Sequence, residues 1–404
     1  MSFQTGLSGL AASSRSLDVI GNNIANANTV GMKSSRAEFA DIVASSLGAG
    51  GGNQAGIGVS VATVSQQFSQ GGINITGNNL DVAINGGGFF QQSMPDGSFA
   101  YTRSGNFKLD SAGSLVTNSG GKVMGYPVDT QTGLRTSTTL QAMTLPTGAP
   151  IAASATTQIT AEFNLPATAP VASAATPPTP RSTYGTSLTA FDSQGVQVPV
   201  NLYFERVAST TTDNWNVYDV ASGGTPLFQL QFDPSGKLTA PTTSPTLTIP
   251  TPSAVTPSIV TTLDVSKVTQ FGTGFAVSDL TQNGYTAGEL TTVNIGESGA
   301  ITATYSNGKS QIAGQLALVN FRNVQGLSPT GGNNWIESAG SGQPVFGVAG
   351  EGKFGALRSG ALEESNVDLT AELVNMMTAQ RAYQANAQTI KTQDQILSTL
   401  VNLR

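Results

Sequence analysis

The last forty or so residues constrain the chain most. Apolar or small residues recur there at steps of four and three: Leu369, Leu373, Met376, Gln380, Tyr383, Ala387, Ile390, Asp394, Leu397 and Val401, with Gln380 and Asp394 as polar interruptions. That spacing puts one face of a long α-helix against another helix. No Gly or Pro occurs between Glu363 and Arg404, so the pattern predicts a helix over 363–404. Glu363, Glu364, Asp368 and Glu372 come early and Arg381, Lys391 and Arg404 late, as the helix dipole favours. Ser365 with Asp368 three residues on reads as a capping box.

Such a helix is not stable alone in water. Its partner is at the other terminus, where Phe3, Leu7, Leu10, Ser14, Leu17, Gly21 and Ile24 follow the same rhythm within a helix expected over 1–28. The Gly21-Asn22-Asn23 cluster is expected to bend or fray it. The two stripes are imperfect, and Ile20, Ile396 and Leu400 add apolar atoms off the seam. Two helices cannot bury apolar surface on several sides, so the pattern favours packing between chains over a simple intramolecular stalk.

Between the termini the reading is β. Residues 34–75 are expected to be mostly irregular, with a short helix over 37–47 and a strand from Val59 to Phe68. A strand from Leu80 ends at the Asn85-Gly86 turn, and Pro95-Asp96-Gly97 makes another. Asp110, Asp192 and Asp233 each stand three residues before a Gly inside an apolar frame, a local hairpin device. Strands are expected over 184–207 and 215–232, with Leu202, Phe204, Trp215, Val217, Phe228 and Leu230 as core. Asn283-Gly284 and Asn307-Gly308 read as hairpin turns. Residues 322–362 read as Gly-rich loops anchored by Trp335, Phe346 and Phe354.

The domains expected are therefore four. Residues 1–30 with 363–404 form a terminal helical domain, and 31–71 with 356–362 a connecting region. Residues 72–145 with 283–355 form a discontinuous β-domain, and 146–282, entered through a Pro/Ala/Thr-rich stretch, an inserted one. The fold class is multidomain α+β: terminal helices forming a coiled-coil-like inner domain, with nested mainly-β outer domains.

Chemistry finds little purchase. There is no His and no Cys, which removes the commonest general base, the commonest metal ligand and any disulfide. Gly308-Lys309-Ser310 lacks the upstream Gly of a phosphate loop, since position 303 is Ala. Asp192, Asp213 and Asp233 lack the spacing and terminal Glu of a calcium loop. Glu363, Glu364 and Asp368 are explained by a helix N-terminus. No enzyme activity and no cofactor are expected. Charged residues are only 10% of the chain and the net charge is −6, which gives no footprint for nucleic acid; no apolar run suggests membrane insertion. The first residues lack the basic and apolar regions of a cleaved signal peptide, so any export is expected to use another route.

Three stretches carry a resemblance. Leu17-Asp18-Val19-Ile20-Gly21-Asn22-Asn23-Ile24-Ala25-Asn26 running into Thr29-Val30-Gly31-Met32-Lys33 resembles the N-terminal signature of bacterial flagellar rod and hook proteins. Ser365-Asn366-Val367-Asp368-Leu369 through Lys391-Thr392 resembles their C-terminal signature, and Asn79–Ile84 with Gly88-Phe89-Phe90 and Tyr101–Phe107 resembles their shared β-domain. Within that family a large insert, with Phe191–Gly195 and Val200–Phe204, implies a hook rather than a distal rod subunit. A secreted β-rich adhesin on a helical stalk is the alternative from another class. The resemblance implies an extracellular, self-assembling helical polymer in the hook or basal body, with the terminal helices as its inner tube. It would act as a curved universal joint carrying torque and enclosing the export channel. The implied partners are further copies of the chain, a distal rod protein, a hook cap, a hook–filament junction protein, a hook-length ruler and the flagellar type III export apparatus. The implied polymerisation residues are Phe3, Leu7, Leu10, Leu17 and Ile24 with the ten stripe residues from Leu369 to Val401.

Overall fold

The structure is a computed structural model that describes residues 2–43, 56–130, 132–146, 150–173, 179–210, 212–252 and 256–402. The chain is mainly β with two long helices, α1 (Ser2–Ala25) and α2 (Leu369–Asn402). It divides into two compact units: Met1–Gly148 with Thr292–Thr304 and Ser310–Arg404, and Ala149–Thr291 with Tyr305–Lys309.

The first unit holds both helices and a twelve-stranded sheet. At its centre Ser310–Asn320 pairs with Lys122–Tyr126 and Phe89–Ser93, and Phe89–Ser93 pairs in turn with Phe99–Thr102. Val82, Ile84, Phe90, Phe107, Leu316, Leu318 and Leu357 form its main core. A second cluster packs Phe89, Tyr101, Phe321 and Trp335 edge to face. The Pro95-Asp96-Gly97 turn closes its hairpin as expected. Asn85-Gly86 does not: the strand Val82–Asn85 pairs with the distant Ala356–Ser359. Residues 322–362 hold five short strands rather than loops. Trp335 is buried there, while Phe346 is exposed at the sheet margin.

The second unit packs two sheets over one core. One runs Gly185–Phe191, Gln197–Val207, Asp213–Tyr218, Phe228–Phe232 and Leu238–Ala240 as an antiparallel meander. The other is built around Gln158–Pro166. Leu202, Phe204, Trp215, Val217, Leu230 and Phe232 of the first meet Ile159, Phe163 and Leu165 of the second, with Phe228 at the margin. The Asp hairpin device recurs with one geometry. Asp110, Asp192 and Asp233 each accept through Oδ1 from the backbone N–H groups two and four residues on, and the Gly between them sits at φ near +80°. Asn283 is different. Its Oδ1 accepts from the N–H groups of Thr157 and Gln158, so it caps the start of another strand and makes no hairpin.

Two corrections concern the terminal region. Residues expected to start a helix at 37 are instead β1 (Ser35–Val43), paired antiparallel with β2 (Gly56–Gln66) from Ser35↔Gln66 to Val43↔Gly56. The Ala-Glu-Phe-Ala run has helical propensity, but pairing with β2 overrides it; residues 44–47 lie outside the described residues. Helix α2 begins at Leu369, not 363. Residues Ala361–Glu363 are a strand paired with Ile73–Ile75. Asp368 is the cap, accepting from the N–H groups of Thr370 at 2.9 Å and Ala371 at 3.2 Å, while Ser365 bonds only Val367.

Candidate assembly interface and its anchor

Helices α1 and α2 pack together within the first unit, through part of the expected stripes together with small and polar residues beside them. Gly6 and Gly9 of α1 face Ile390 and Asn386 of α2; a Cβ on Gly9 would lie 2.9 Å from the Asn386 amide. Ser13 accepts from Asn386 at 3.4 Å. The seam on α2 is the partly covered row Glu372, Met376, Ala379, Asn386, Ala387, Ile390 and Gln393. It shares Met376, Ala387 and Ile390 with the expected stripe and takes its other members one position earlier. Small residues let the two backbones approach closely. Val19 and Ile20 of α1 are buried, and several of the larger apolar side chains of the expected stripe stay exposed.

The expected polymerisation residues therefore fall into two sets. Met376, Ala387 and Ile390 are partly covered, as are Leu10, Leu17 and Ile24 on α1. Phe3, Leu7, Leu369, Leu373, Gln380, Tyr383, Asp394 and Leu397 are exposed, with Leu7 at 53%, Leu373 at 52% and Leu397 at 50%. The Val401 side chain lies outside the described residues. Val374, Met377 and Ile396, off the expected stripe, are exposed too. Exposed apolar residues this numerous along one helix mark an interaction surface.

The hairpin β1–β2 extends that surface. A two-stranded hairpin is marginal alone, and here α1 supports it: Ser8 Oγ accepts from the Val59 N–H at 3.2 Å. Phe39, Ile42, Val61 and Val64 stay exposed.

A buried charge cluster holds the helix bases to the sheet. Glu363 Oε1 accepts from Lys33 Nζ at 2.6 Å and from the Gly71 N–H at 3.1 Å, and its Oε2 accepts from Arg103 Nη1 at 3.1 Å. The Lys33 and Glu363 side chains are wholly buried and that of Arg103 nearly so. Lys33 also donates to the Ser69 carbonyl at 2.7 Å. Burial pulls the Lys33 ammonium below the usual lysine range, against the Glu363 carboxylate that holds it up. The Arg103 guanidinium lies 5.2 Å from the centre of the Phe89 ring. Gly31 brings Lys33 in: its φ is +71°, its N–H donates to the Glu363 carbonyl at 2.8 Å, and a Cβ there would lie 2.7 Å from the Ser104 nitrogen. Sequence reasoning missed this cluster by assigning Glu363 to a helix terminus. No local signal singles the three out: Lys33 has Arg36 and Glu38 close by, Arg103 has Lys108, and Glu363 stands beside Glu364.

Asn23, expected to weaken α1, instead ties it down. It is buried, donates to the Ser35 carbonyl and to Glu372 Oε1, and accepts from the Ser35 N–H. Replacing Asn23 by Leu strands both Ser35 groups and is expected to cost about 2–3 kcal/mol. Hydrogen exchange at the Ser35 amide checks it; unchanged protection there would refute the role.

Comparison with known proteins covers most of the chain. Residues 3–33 match the model for flagella basal body rod proteins, and 83–162 the flagellar hook protein FlgE/F/G D1 domain. Residues 164–285 match the flagellar basal body protein FlaE D2 domain, and 358–403 the flagellar basal body rod FlgEFG protein C-terminal model. The chain is 40% identical over 421 residues to the flagellar hook protein FlgE of Escherichia coli K12, and 40% identical over 427 residues to that of Salmonella typhimurium LT2, with 100% of both chains covered in each case. The crystal structure of Helicobacter pylori flagellar hook protein FlgE2 has a similar fold. Its TM-score is 0.53 at 16% identity, over 72% of this chain and 100% of that one.

Proposed function

The chain belongs to the flagellar hook protein family and is a structural subunit of the hook, and from that premise we propose that its copies pack into a tube through the outward-facing stripes of α1 and α2. The observation that carries this reading is the set of exposed apolar side chains on both helices. The helix pair joins through Gly6, Gly9, Ser13 and their partners Ile390 and Asn386, which leaves Leu7, Leu373, Met377 and Leu397 exposed for other subunits. The inner wall so formed encloses the export channel.

The β units make the remaining contacts between neighbours through polar surfaces with few charges. Desolvating charges is what makes a contact costly to remake, so such surfaces slide at low cost. That property suits a curved joint whose protofilaments shorten and lengthen as it turns and passes torque from rod to filament. The chain acts without enzyme chemistry. Its partners in this reading are the distal rod protein, the hook cap, the junction protein, the length ruler and the type III export apparatus, and its place is outside the cell.

Electron microscopy under salting-out conditions tests the reading, comparing the full chain with residues 68–363. That fragment keeps Leu357 in the core and the Ala361–Glu363 strand on Ile73–Ile75. Curved tubes from the full chain and monomers from the fragment are expected. Tubes from the fragment would remove the helices from the assembly mechanism.

A further inference from the structure

The segment 363–366 joins three parts of the chain that are remote in sequence. Its bonds reach the residues after α1, through the Gly31 N–H to the Glu363 carbonyl, Lys33 to the Glu363 carboxylate, and the Ser34 N–H to Asn366 Oδ1 at 2.7 Å. They reach the residues after β2, through Asn366 Nδ2 to the Gln67 carbonyl at 2.7 Å, the Gly71 N–H to Glu363, and the Glu364 N–H to the Gly72 carbonyl at 2.7 Å. They reach the sheet through Arg103. Helix α2 continues from this segment five residues past Glu364.

We propose that Glu363 is a latch that makes the two terminal segments dock on the sheet together or not at all. The polymerising surface of the subunit is then switched on as one piece. The argument is one of charge. Two cations and one carboxylate share a buried site, and Arg103 Nε has no partner among the described residues. A buried pair can be stable, but removing one partner leaves an uncompensated charge that is costly to keep out of water. If the 363–366 segment leaves, Lys33 and Arg103 are both stranded. Arg103 belongs to the sheet and stays; Lys33 escapes by swinging out, and it takes the turn after α1 with it. If the N-terminal segment leaves instead, Glu363 keeps Arg103 but loses Lys33 and the Gly31 amide, and Asn366 loses Ser34. Coupling of this kind is reciprocal. Glu363 is thus a positioning residue for assembly, acting through Lys33 on a helix more than three hundred residues away in sequence.

The inference rests on the hook-subunit reading only for its consequence, because its test is made on the unassembled full-length subunit. Hydrogen exchange is measured for wild type, Glu363→Gln and Lys33→Met. In Glu363→Gln, which strands two cations, amides in residues 16–24 of α1 and in residues 372–382 of α2 are expected to exchange about a hundredfold faster or more. Amides in Phe89–Ser93 and Ser310–Asn320 should change less than about threefold, because the sheet keeps its own core. Lys33→Met leaves a balanced Glu363–Arg103 pair, so it should raise exchange less, but in both helices. Two results overturn the proposal. One is faster exchange in α2 with α1 unchanged, in either variant. The other is an equal loss of protection across the sheet, which would make the cluster a general stabiliser.

Discussion

Replacing Leu373 and Leu397 together by Asp is expected to abolish tube formation while leaving the free subunit folded. Both side chains are about half exposed in the subunit, so their loss removes little intramolecular packing, and surface changes of this sort usually fall within about 0.5 kcal/mol. In the proposed tube they are buried between copies. Fully burying a leucine contributes about 1.5–3 kcal/mol, and half-exposure in the subunit leaves about half of that to be gained on assembly. Two leucines then contribute about 1.5–3 kcal/mol per subunit, and the new carboxylates add a desolvation penalty of several kcal/mol more if they are kept out of water. Each 1.4 kcal/mol is a factor of ten, so the critical concentration should rise at least about a hundredfold, beyond ordinary reach. Pelleting and circular dichroism read the two halves of the claim. Tubes at the wild-type critical concentration would remove this stripe from the interface. Ile390→Asp makes the contrast: that side chain faces Gly6, so it should loosen the helix pair in the free subunit as well.

What was legible in the chain followed local rules, and what was not depended on partners far away in sequence. The Asp-x-x-Gly turns at 110, 192 and 233 are decided by one carboxylate and one glycine within five residues, and the structure repeats them without variation. The same holds for the Asn307-Gly308 hairpin, where Asn307 accepts from the Lys309 N–H at 3.0 Å. Asn85-Gly86 and Asn283-Gly284 carry the same letters and make no hairpin, because their strands are claimed by Ala356–Ser359 and by the start of Gln158–Pro166. The heptad rhythm located both helices but not the whole of the seam between them. Periodicity reports which side chains are apolar, not which copy of the chain covers them, and here Met376 and Ile390 are covered within the chain while Leu373 and Leu397 of the same stripe are exposed. Residues 37–47 read as helix because nothing local to them announces β2, and Glu363 read as a helix charge because nothing local announces Lys33. The anchor of the candidate interface was therefore the least legible part: its three charges come from positions 33, 103 and 363.

Excising most of the insert is expected to leave a chain that still assembles, with its curvature changed. The second unit's buried core runs from Ile159 to Val268, and no residue of it belongs to the core of the first. Its removal therefore takes no residue from the core of the sheet that carries the helices. The join is prepared by the structure. Ile151 and Gly288 are bridge partners, with the Ile151 N–H on the Gly288 carbonyl at 2.8 Å and the Gly288 N–H on the Ile151 carbonyl at 3.2 Å. Replacing residues 152–287 by Asn-Gly closes that pair with the turn a two-residue hairpin prefers. If the helices hold the tube together, the critical concentration should stay within about threefold of wild type, a change of about 0.6 kcal/mol. If the insert contributes the sliding contacts, the tubes should lose the wild-type curvature. Electron microscopy reads both quantities from one sample. Tubes of unchanged curvature would assign the bend to the remaining unit alone. Failure to form tubes, in a variant whose sheet amides keep their exchange protection, would show that the insert supplies polymerisation contacts and that α1 and α2 do not suffice.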